Sequence, residues 1–311
     1  HFTQHDASYY LILAGDHLYR MNYQALITAH KEHHADITIA ALPVDADTAT
    51  GMGIFLFDRD GKIAAFEEKP NPTRLQAIAR SIPEGATFSA HSDERPFMAS
   101  MGIYVFTRRV LLEMLHREPG HDFGRELIPA ALSTYAVKPY LHRGYWADVG
   151  TIDSFYEANV MLGRSGAPFT FWHPLQPIYT HLRHLPGSRL LDCHLRDSIV
   201  ASGCSLYRCR IDDSVIGIRS QVQSDARIEH SVLLGADYYE DGLPPPNIPS
   251  LGIGRGAVLN RVIVDKNARI GDGARLVNEK GIAHADADGY CIRDGIIVVP
   301  KGGVIQAGQI I

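Results

Sequence analysis

The chain has 311 residues and a formal net charge of −5, and 45% of its residues are hydrophobic while 21% are charged. These proportions are typical of a globular protein with ample material for a core, and the length predicts two domains. No basic stripe indicates nucleic acid as a partner, and no apolar run approaches the roughly 20 residues that cross a bilayer. We therefore expect neither nucleic acid nor a membrane among its partners.

The cysteine pattern bears on the compartment and on zinc. Cys193, Cys204, Cys209 and Cys291 form no C-x-x-C pair and no tight cluster with histidine. Zinc sites need such closely spaced ligands, whereas isolated thiols are usual in the cores of reduced proteins. The pattern predicts free, packed thiols and a cytoplasmic location.

The first informative stretch is the apolar run Leu11–Ala14, which stops at Gly15-Asp16. Its length is typical of a strand buried on both faces of a parallel sheet. Asp16 then lies at the carboxyl end of the strand, where α/β sheets bind ligands and where a carboxylate can hold Mg²⁺. The alternative is that Asp16 only caps the following helix, and the stretch by itself leaves both interpretations open.

The next segments predict a strand–helix–strand unit. Residues 22–34 have helical spacing, and residues 36–44 are rich in β-branched side chains. A βαβ crossover and a parallel sheet follow from that order. We interpret His30, His33 and His34 as part of a solvated helix face.

An Asp-Gly turn at residues 58–61 separates two apolar runs, 53–57 and 62–66, and this pattern predicts a β-hairpin. Pro70 ends the second arm and leaves Glu68 and Lys69 at its exit. A lysine there is a compact positive charge suited to one phosphate.

Two later stretches carry further candidate residues. In the predicted strand 100–106, Ser100 and Gly102 are small enough to let a sugar approach the backbone. Asp122 is placed to bind a hydroxyl group or to cap a helix, and the spacing favours the cap.

Residues 144–151 place an aromatic residue, an acid, a glycine and a helix cap close together. Trp146 offers a flat face for a sugar ring, Asp148 supplies a second carboxylate, and Thr151 can cap a helix over 152–162. Two carboxylates, Asp16 and Asp148, that converge on one cation are suited to phosphate chemistry.

The second half of the chain is a repeat. Prolines mark a linker over 166–187, and a six-residue period of apolar residues follows it. The positions in that period are Ile216, Val222, Ile228 and Leu234, then Val264, Ile270 and Leu276, then Val299, Ile305 and Ile311. A hexapeptide period predicts a parallel β-helix over 188–311, interrupted by a loop at 237–250. The predicted domains are thus 1–165, the linker 166–187, and 188–311.

Taken together, the stretches GDHLY, FEEKP, SMGIYVF, DFG and GYWADVGT resemble the sugar-nucleotide pyrophosphorylases, most closely the glucose-1-phosphate adenylyltransferases. The resemblance implies a Rossmann-like α/β nucleotidyltransferase domain, truncated at its N-terminus, followed by a left-handed parallel β-helix. It also implies that ATP and glucose 1-phosphate give ADP-glucose and pyrophosphate, with Mg²⁺, for glycogen or starch synthesis. The implied assembly is a homo- or heterotetramer under allosteric control.

Residue roles follow from the same resemblance. Asp16 and Asp148 correspond to metal-holding aspartates, and Lys69 to the lysine on the sugar phosphate, so these three are the candidate catalytic residues. The residues that the resemblance implies for the substrate pocket are Gly53, Glu68, Lys69, Ser100, Asp122 and Trp146.

One family feature is missing from the chain. The family's glycine-rich loop, of the type G-G-x-G-x-R-L, cradles the triphosphate with backbone N–H groups, and no such stretch is present. We expect the chain to be a piece of a longer enzyme. Two alternatives stay open: a nucleotidyltransferase that uses another nucleotide, and a non-catalytic regulatory or structural subunit.

Overall fold

The computed structural model describes residues 6–58, 62–79, 95–117, 122–242, 244 and 246–311. The chain divides into two compact units. The first comprises the residues up to Gly15 together with Arg20–Gly144, and the second comprises Asp16–Tyr19 together with Tyr145–Ile311. The segment that follows Gly144 thus groups with the β-helix, because helix 152–162 packs against it, and the domain boundary expected near residue 165 remains a prediction.

The first unit is one sheet with helices. Its strands are β1 (Tyr9–Leu13), β3 (Ile37–Val44), β4 (Gly53–Phe57), β5 (Ile63–Glu68), β6 (Phe97–Thr107) and β7 (Val137–Leu141). Its helices are α1 (Tyr23–Glu32), α2 (Ala46–Ala49), α3 (Pro72–Ala79), α4 (Arg108–Arg117) and α5 (Ile128–Ala131), with a π-helical turn at Phe123–Leu127.

The sheet is mixed, with the strand order β5-β4-β6-β3-β7 and with β1 also paired to β6. Only β3 and β7 pair in parallel among the described strands of this unit, whereas β1, β3 and β4 all run antiparallel to β6. The prediction of a parallel β1–α1–β3 unit was therefore wrong in its pairing, because the eleven-residue β6 lies between the two strands. β1 is also only partly buried, rather than buried on both faces.

The predicted hairpin is confirmed. β4 and β5 pair antiparallel from Gly53 opposite Glu68 to Phe57 opposite Ile63. The predicted turn residues 59–61 lie outside the described residues. The hairpin contributes Phe55 and Phe66 to a core that also contains Ile37 and Phe106.

The helix α1 begins after Asn22, whose Oδ1 accepts a hydrogen bond from Ala25 N at 3.1 Å. His30 on this helix is only 1% exposed, so the prediction of a solvated face was wrong for it. Its Nδ1 lies 2.8 Å from Thr38 Oγ1 and its Nε2 lies 3.2 Å from Thr107 Oγ1. The two hydroxyl groups give both ring nitrogens a hydrogen-bond partner, which offsets the free-energy cost of burying this polar ring.

The second unit begins with two short strands and a helix, β2 (His17–Tyr19), β8 (Trp146–Asp148) and α6 (Ile152–Leu162). Three parallel sheets then form the faces of a β-helix. The first face contains β9 (Arg189–Leu191), β12 (Ser205–Tyr207), β15 (Gln221–Val222), β18 (Gly252–Ile253), β21 (Arg269–Ile270) and β26 (Val304–Ile305). The second face contains β10 (His194–Arg196), β13 (Arg210–Asp212), β16 (Arg227–Glu229), β19 (Val258–Asn260) and β22 (Arg275–Leu276). The third face contains β11 (Ile199–Val200), β14 (Val215–Ile216), β17 (Val232–Leu233), β20 (Val262–Val264) and β25 (Ile296–Val299), which is extended by β24 (Tyr290–Arg293) and β23 (Ala285–Ala287).

The predicted β-helix is confirmed, with one correction to its period. Ile216 pairs with Leu233, seventeen positions later, so this coil has one step of five residues rather than six, and the preceding coil, in which Val200 pairs with Ile216, is one residue shorter still. Leu233 therefore belongs to the buried core of the β-helix, and Leu234, which the strict six-residue period selected, packs beside helix α6 instead. The interruption at 237–250 falls between β17 and β18 as expected, but the antiparallel hairpin of β23 and β24 was not predicted.

The four cysteines are free, as predicted. Cys204 and Cys209 are buried, and burial raises the pKa of the Cys209 thiol to about 12. Among the residues that the structure describes, no group of three or more histidine, cysteine or acidic side chains could hold a metal ion. No described helix is both long enough and apolar enough to cross a membrane.

Candidate functional site

Two carboxylates meet in the second unit beside Gly150. β2 and β8 pair antiparallel with His17 opposite Asp148, and Asp16 directly precedes β2. A Cβ atom added to Gly150 would lie 2.9 Å from Asp148 Oδ1 and 3.0 Å from Asp16 Oδ2. The structure thus brings the two predicted metal ligands to one point, which only a glycine leaves open. The alternative role of Asp16 as a helix cap was wrong, because Asn22 caps α1.

Backbone hydrogen bonds hold this carboxylate pair. Gly150 N donates to Asp148 Oδ1 at 2.6 Å, and Val149 N donates to Asp16 O at 2.9 Å. His17 Nε2 lies 3.6 Å from Asp16 Oδ1, and the His17 side chain is only 10% exposed. A backbone hydrogen bond therefore fixes the Asp148 carboxylate, whereas the Asp16 residue is held through its own carbonyl and its carboxylate lies beside the His17 ring.

Trp146 lies on the same two-stranded ribbon. Its ring meets the His17 ring edge to face, with centroids 4.9 Å apart. Trp146 Nε1 and His17 Nδ1 are buried without a hydrogen-bond partner among the described residues. The structure groups Trp146 with the carboxylate pair, while its predicted role as a platform for a sugar stays a prediction.

The carboxylate pair fits Mg²⁺ in its donor chemistry. Mg²⁺ is commonly held by one or two carboxylates and keeps several waters or substrate phosphates as its other ligands. Asp16 and Asp148 supply two carboxylates around the space that the missing Cβ of Gly150 leaves. This open donor set suits a cation shared with phosphates better than an all-protein structural site.

A second group of candidate residues lies in the first unit, around Glu68. A Cβ atom on Gly53 would lie 2.7 Å from Glu68 Oε2, and one on Gly124 would lie 2.6 Å from the same oxygen. The Glu68 carboxylate is therefore held between two glycines, and a larger residue at either position would displace it. Gly53 also lies against the Phe66 ring, which a side chain at this position would meet.

The surroundings of Glu68 combine partial burial with neighbouring charges. Burial is the main cause that raises the pKa of Glu68, and the Asp122 charge raises it further, while Lys69 and Arg125 lower it. Burial also raises the pKa of Tyr104, although a hydrogen bond with Ser100 opposes that shift. Glu68, Asp122, Ser100 and Tyr104 thus lie close enough to influence one another's pKa, and their oxygens can bind hydroxyl groups.

Lys69 follows β5 in a strained backbone conformation. Its φ is +49°, in the left-handed region that residues other than glycine rarely adopt, and its N–H donates to Met52 O at 3.0 Å. Such strain costs on the order of 1 kcal/mol or more and tends to occur at functional positions. Fourteen other described residues, most of them in the β-helix, have a φ in the same range, so the conformation fixes the direction of Lys69 without by itself assigning it a function.

Asp122 acts as a helix cap, as its spacing predicted. Its Oδ1 accepts a hydrogen bond from Arg125 N at 2.9 Å, and its own N–H donates to Glu126 Oε2 at 3.3 Å. A role for its second carboxylate oxygen toward a substrate hydroxyl remains a prediction.

Comparison with known proteins places this geometry in a family. A model described as "Nucleotidyl transferase" matches residues 1–165, and one described as "GLGC left-handed parallel beta-helix domain" matches residues 183–310. The whole chain is similar to the "Glucose-1-phosphate adenylyltransferase small subunit, chloroplastic/amyloplastic" of Triticum aestivum. The two are 44% identical over 322 aligned residues, which cover 100% of this chain and 68% of that relative. The chain belongs to the glucose-1-phosphate adenylyltransferase family.

Membership of the glucose-1-phosphate adenylyltransferase family confirms the expected fold, a nucleotidyltransferase domain followed by a left-handed β-helix, and the expected class of enzyme. It leaves the roles of individual residues as predictions.

Sequence reasoning missed four residues beside the candidate site: His17, Tyr104, Gly124 and Gly150. A shared signal could have found the two glycines, since each stands two residues after a candidate aspartate, in Asp122-Phe123-Gly124 and in Asp148-Val149-Gly150. In both places the glycine makes room for a carboxylate. His17 and Tyr104 carry no comparable pattern.

Proposed function

We propose that the chain transfers the adenylyl group of ATP to glucose 1-phosphate, giving ADP-glucose and pyrophosphate for glycogen or starch synthesis. The observation that carries this proposal is the meeting of Asp16 and Asp148 at Gly150 in a chain of this family. The name of the wheat relative supports glucose 1-phosphate and the adenylyl group as the substrates.

Five of the candidate residues have a task in this reaction. A phosphate oxygen of glucose 1-phosphate attacks the α-phosphorus of ATP, and the bond from that phosphorus to the bridging oxygen of pyrophosphate breaks. Lys69 binds the sugar phosphate, and Glu68 and Asp122 accept hydrogen bonds from sugar hydroxyl groups. Asp16 and Asp148 hold Mg²⁺, which when bound neutralises charge on the phosphates. Positioning and electrostatics supply the catalysis, so no covalent nucleophile is needed.

The remaining family properties belong to the same proposal. We infer a homo- or heterotetramer, since the wheat relative is named a small subunit, and allosteric control of the assembly. The free cysteines favour a reducing compartment, the cytoplasm, although the wheat relative is named chloroplastic/amyloplastic.

The test removes one charge from the carboxylate pair in the complete native polypeptide. We expect Asp148→Asn to lower kcat by about a hundredfold or more and to abolish tight Mn²⁺ binding, because the cation loses a charged ligand. Turnover is measured by pyrophosphate release, and Mn²⁺ binding by electron paramagnetic resonance.

The matched control is Asp288→Asn, the same substitution at an exposed position in the turn between β23 and β24 of the β-helix. It should leave both quantities unchanged. Near-normal turnover and Mn²⁺ binding in Asp148→Asn would remove the metal assignment. Native Mn²⁺ binding without turnover in the unmodified polypeptide would favour the non-catalytic subunit instead.

A further inference from the structure

Helix α6 links the carboxylate pair directly to the β-helix. Only Val149 and Gly150 separate Asp148 from Thr151, which caps α6. Thr151 Oγ1 accepts a hydrogen bond from Ser154 N at 3.1 Å, and Ser154 Oγ accepts one from Thr151 N at 3.2 Å. With Val149 N bonded to Asp16 O, the segment between Asp148 and the helix has little freedom.

One face of α6 is buried against the third face of the β-helix. Tyr156 and Val160 are 3% and 1% exposed, and they pack against Val232, Ile263 and Ile296. At the end of the helix, a Cβ atom on Gly163 would lie 2.7 Å from Asp197 O, so the helix and the coil approach each other closely there. Helix α6 thus packs against the β-helix along its whole length.

Asp213 of the β-helix adds a polar attachment. Its Oδ2 lies 2.7 Å from Arg164 Nη2 and 2.8 Å from His230 Nδ1. Tyr156 Oη in turn donates to His230 O at 2.7 Å. The hydrogen bond from Arg164 is the main reason why the pKa of Asp213 is lowered, so the carboxylate is charged and the attachment is ionic at neutral pH.

Arg261 provides a second attachment on the same helix. Its guanidinium lies 5.1 Å from the centroid of the Tyr156 ring. Its Nη2 and Nη1 are each 3.6 Å from a carboxylate oxygen of α6, on Asp153 and Glu157. Asp153 is in the first turn of the helix, five positions after Asp148.

We propose that the β-helix positions the carboxylate pair through α6, with Asp213 and Arg261 as positioning residues for Asp148. This inference rests on the proposed function, because it concerns the same metal-binding aspartates. The β-helix is then part of the metal-binding machinery. Metal ligands need their positions fixed to within about 0.5 Å, so a loosened α6 should weaken metal binding.

The test measures Mn²⁺ affinity by electron paramagnetic resonance in the complete polypeptide, independently of turnover. We expect Asp213→Asn and Arg261→Gln each to weaken Mn²⁺ binding by about threefold or more, because each variant removes an ion pair that holds the segment after Asp148 against the β-helix. The KM for glucose 1-phosphate should change by less than about twofold, because these residues do not touch the predicted sugar group. Asp213→Glu, which retains the charge, should recover part of the affinity.

The matched control is Arg275→Gln, which breaks an ion pair with Glu279 elsewhere on the β-helix. It should leave Mn²⁺ affinity unchanged. If Asp213→Asn does not fold, as judged by circular dichroism, Tyr156→Phe is the variant that decides, since it removes only the hydrogen bond to His230 O.

Native Mn²⁺ affinity in the folded variants would overturn the inference. The variant Asp148→Asn separates this failure from a failure of the proposed function. If it abolishes Mn²⁺ binding while the positioning variants do not, only the positioning role is wrong. If it leaves Mn²⁺ binding intact, the assignment of the metal site itself is wrong.

Discussion

At the scale of single residues, glycines and one strained lysine define the candidate site. Gly53 and Gly124 leave room for the Glu68 carboxylate, and Gly150 leaves room for Asp16 and Asp148. The sequence motifs identify the charged members of these groups, because carboxylates and lysines suggest their own chemistry. Gly53 was predicted as a site residue from the family resemblance, but Gly124 and Gly150 were not, since their contribution is the absence of a side chain and is visible only when the neighbours are placed.

Lys69 offers the clearest single-residue prediction. Glutamine has a side chain of similar length but no charge. Like lysine, it is not glycine, so the substitution adds no backbone freedom at this left-handed position. Loss of a charged hydrogen bond costs roughly 1.5–3 kcal/mol, so we expect the KM for glucose 1-phosphate to rise by about tenfold or more. The KM for ATP should rise by less than about threefold.

Steady-state kinetics of the complete polypeptide check this prediction, with Lys62→Gln at the opposite end of β5 as the control. Lys62 is exposed, and its substitution should leave both KM values unchanged. An equal rise of both KM values in Lys69→Gln would contradict its assignment to the sugar phosphate.

At the scale of elements, local patterns predicted most strands and helices but not all of their partners. The hairpin β4–β5 and the capped helix α6 are determined by neighbouring residues, and both were predicted correctly. The pairing of β1 was not, because the insertion of β6 between β1 and β3 depends on a strand almost one hundred residues away. Periodicity in the sequence has the same limit. A five-residue step within a six-residue repeat can be recognised only from the pairing of strands in successive coils.

His30 connects three secondary-structure elements in a way that no local pattern predicted. Its burial also makes the stability of the fold depend on pH. The ring joins α1 to Thr38 on β3 and to Thr107 on β6. Burial is the main cause that lowers its pKa below 6.5, with Lys31 acting in the same direction and Asp36 opposing it. Between the lowered pKa and 6.5, the unfolded chain binds more protons, so stability falls as the pH decreases through that window.

We therefore expect the urea midpoint of the unmodified chain to fall more between pH 7.5 and pH 5.5 than that of His30→Gln. The contribution is at most about 1.4 kcal/mol per pH unit. His33→Gln, at an exposed position after the same helix, is the control and should follow the unmodified chain. Identical pH profiles for the unmodified chain and His30→Gln would contradict the buried neutral ring.

At the scale of the whole molecule, the candidate residues are distributed between the two compact units. The carboxylate pair and Trp146 belong to the unit that contains the β-helix, and Glu68, Lys69, Ser100 and Asp122 belong to the unit built on the mixed sheet. The sequence motifs supplied both groups of residues, and their shared role in one reaction stays a prediction. They could not show that the β-helix and the carboxylate pair share a unit, because that depends on the packing of α6.

The most direct test of the account is a product measurement on the complete native polypeptide. The protein is incubated with glucose 1-phosphate, Mg²⁺ and either ATP, UTP, GTP or dTTP, and the products are followed by phosphorus-31 nuclear magnetic resonance. We predict equal amounts of ADP-glucose and pyrophosphate with ATP and little turnover with the other nucleotides. No product from the folded protein with any nucleotide, or a preference for a nucleotide other than ATP, would contradict the proposed adenylyl transfer.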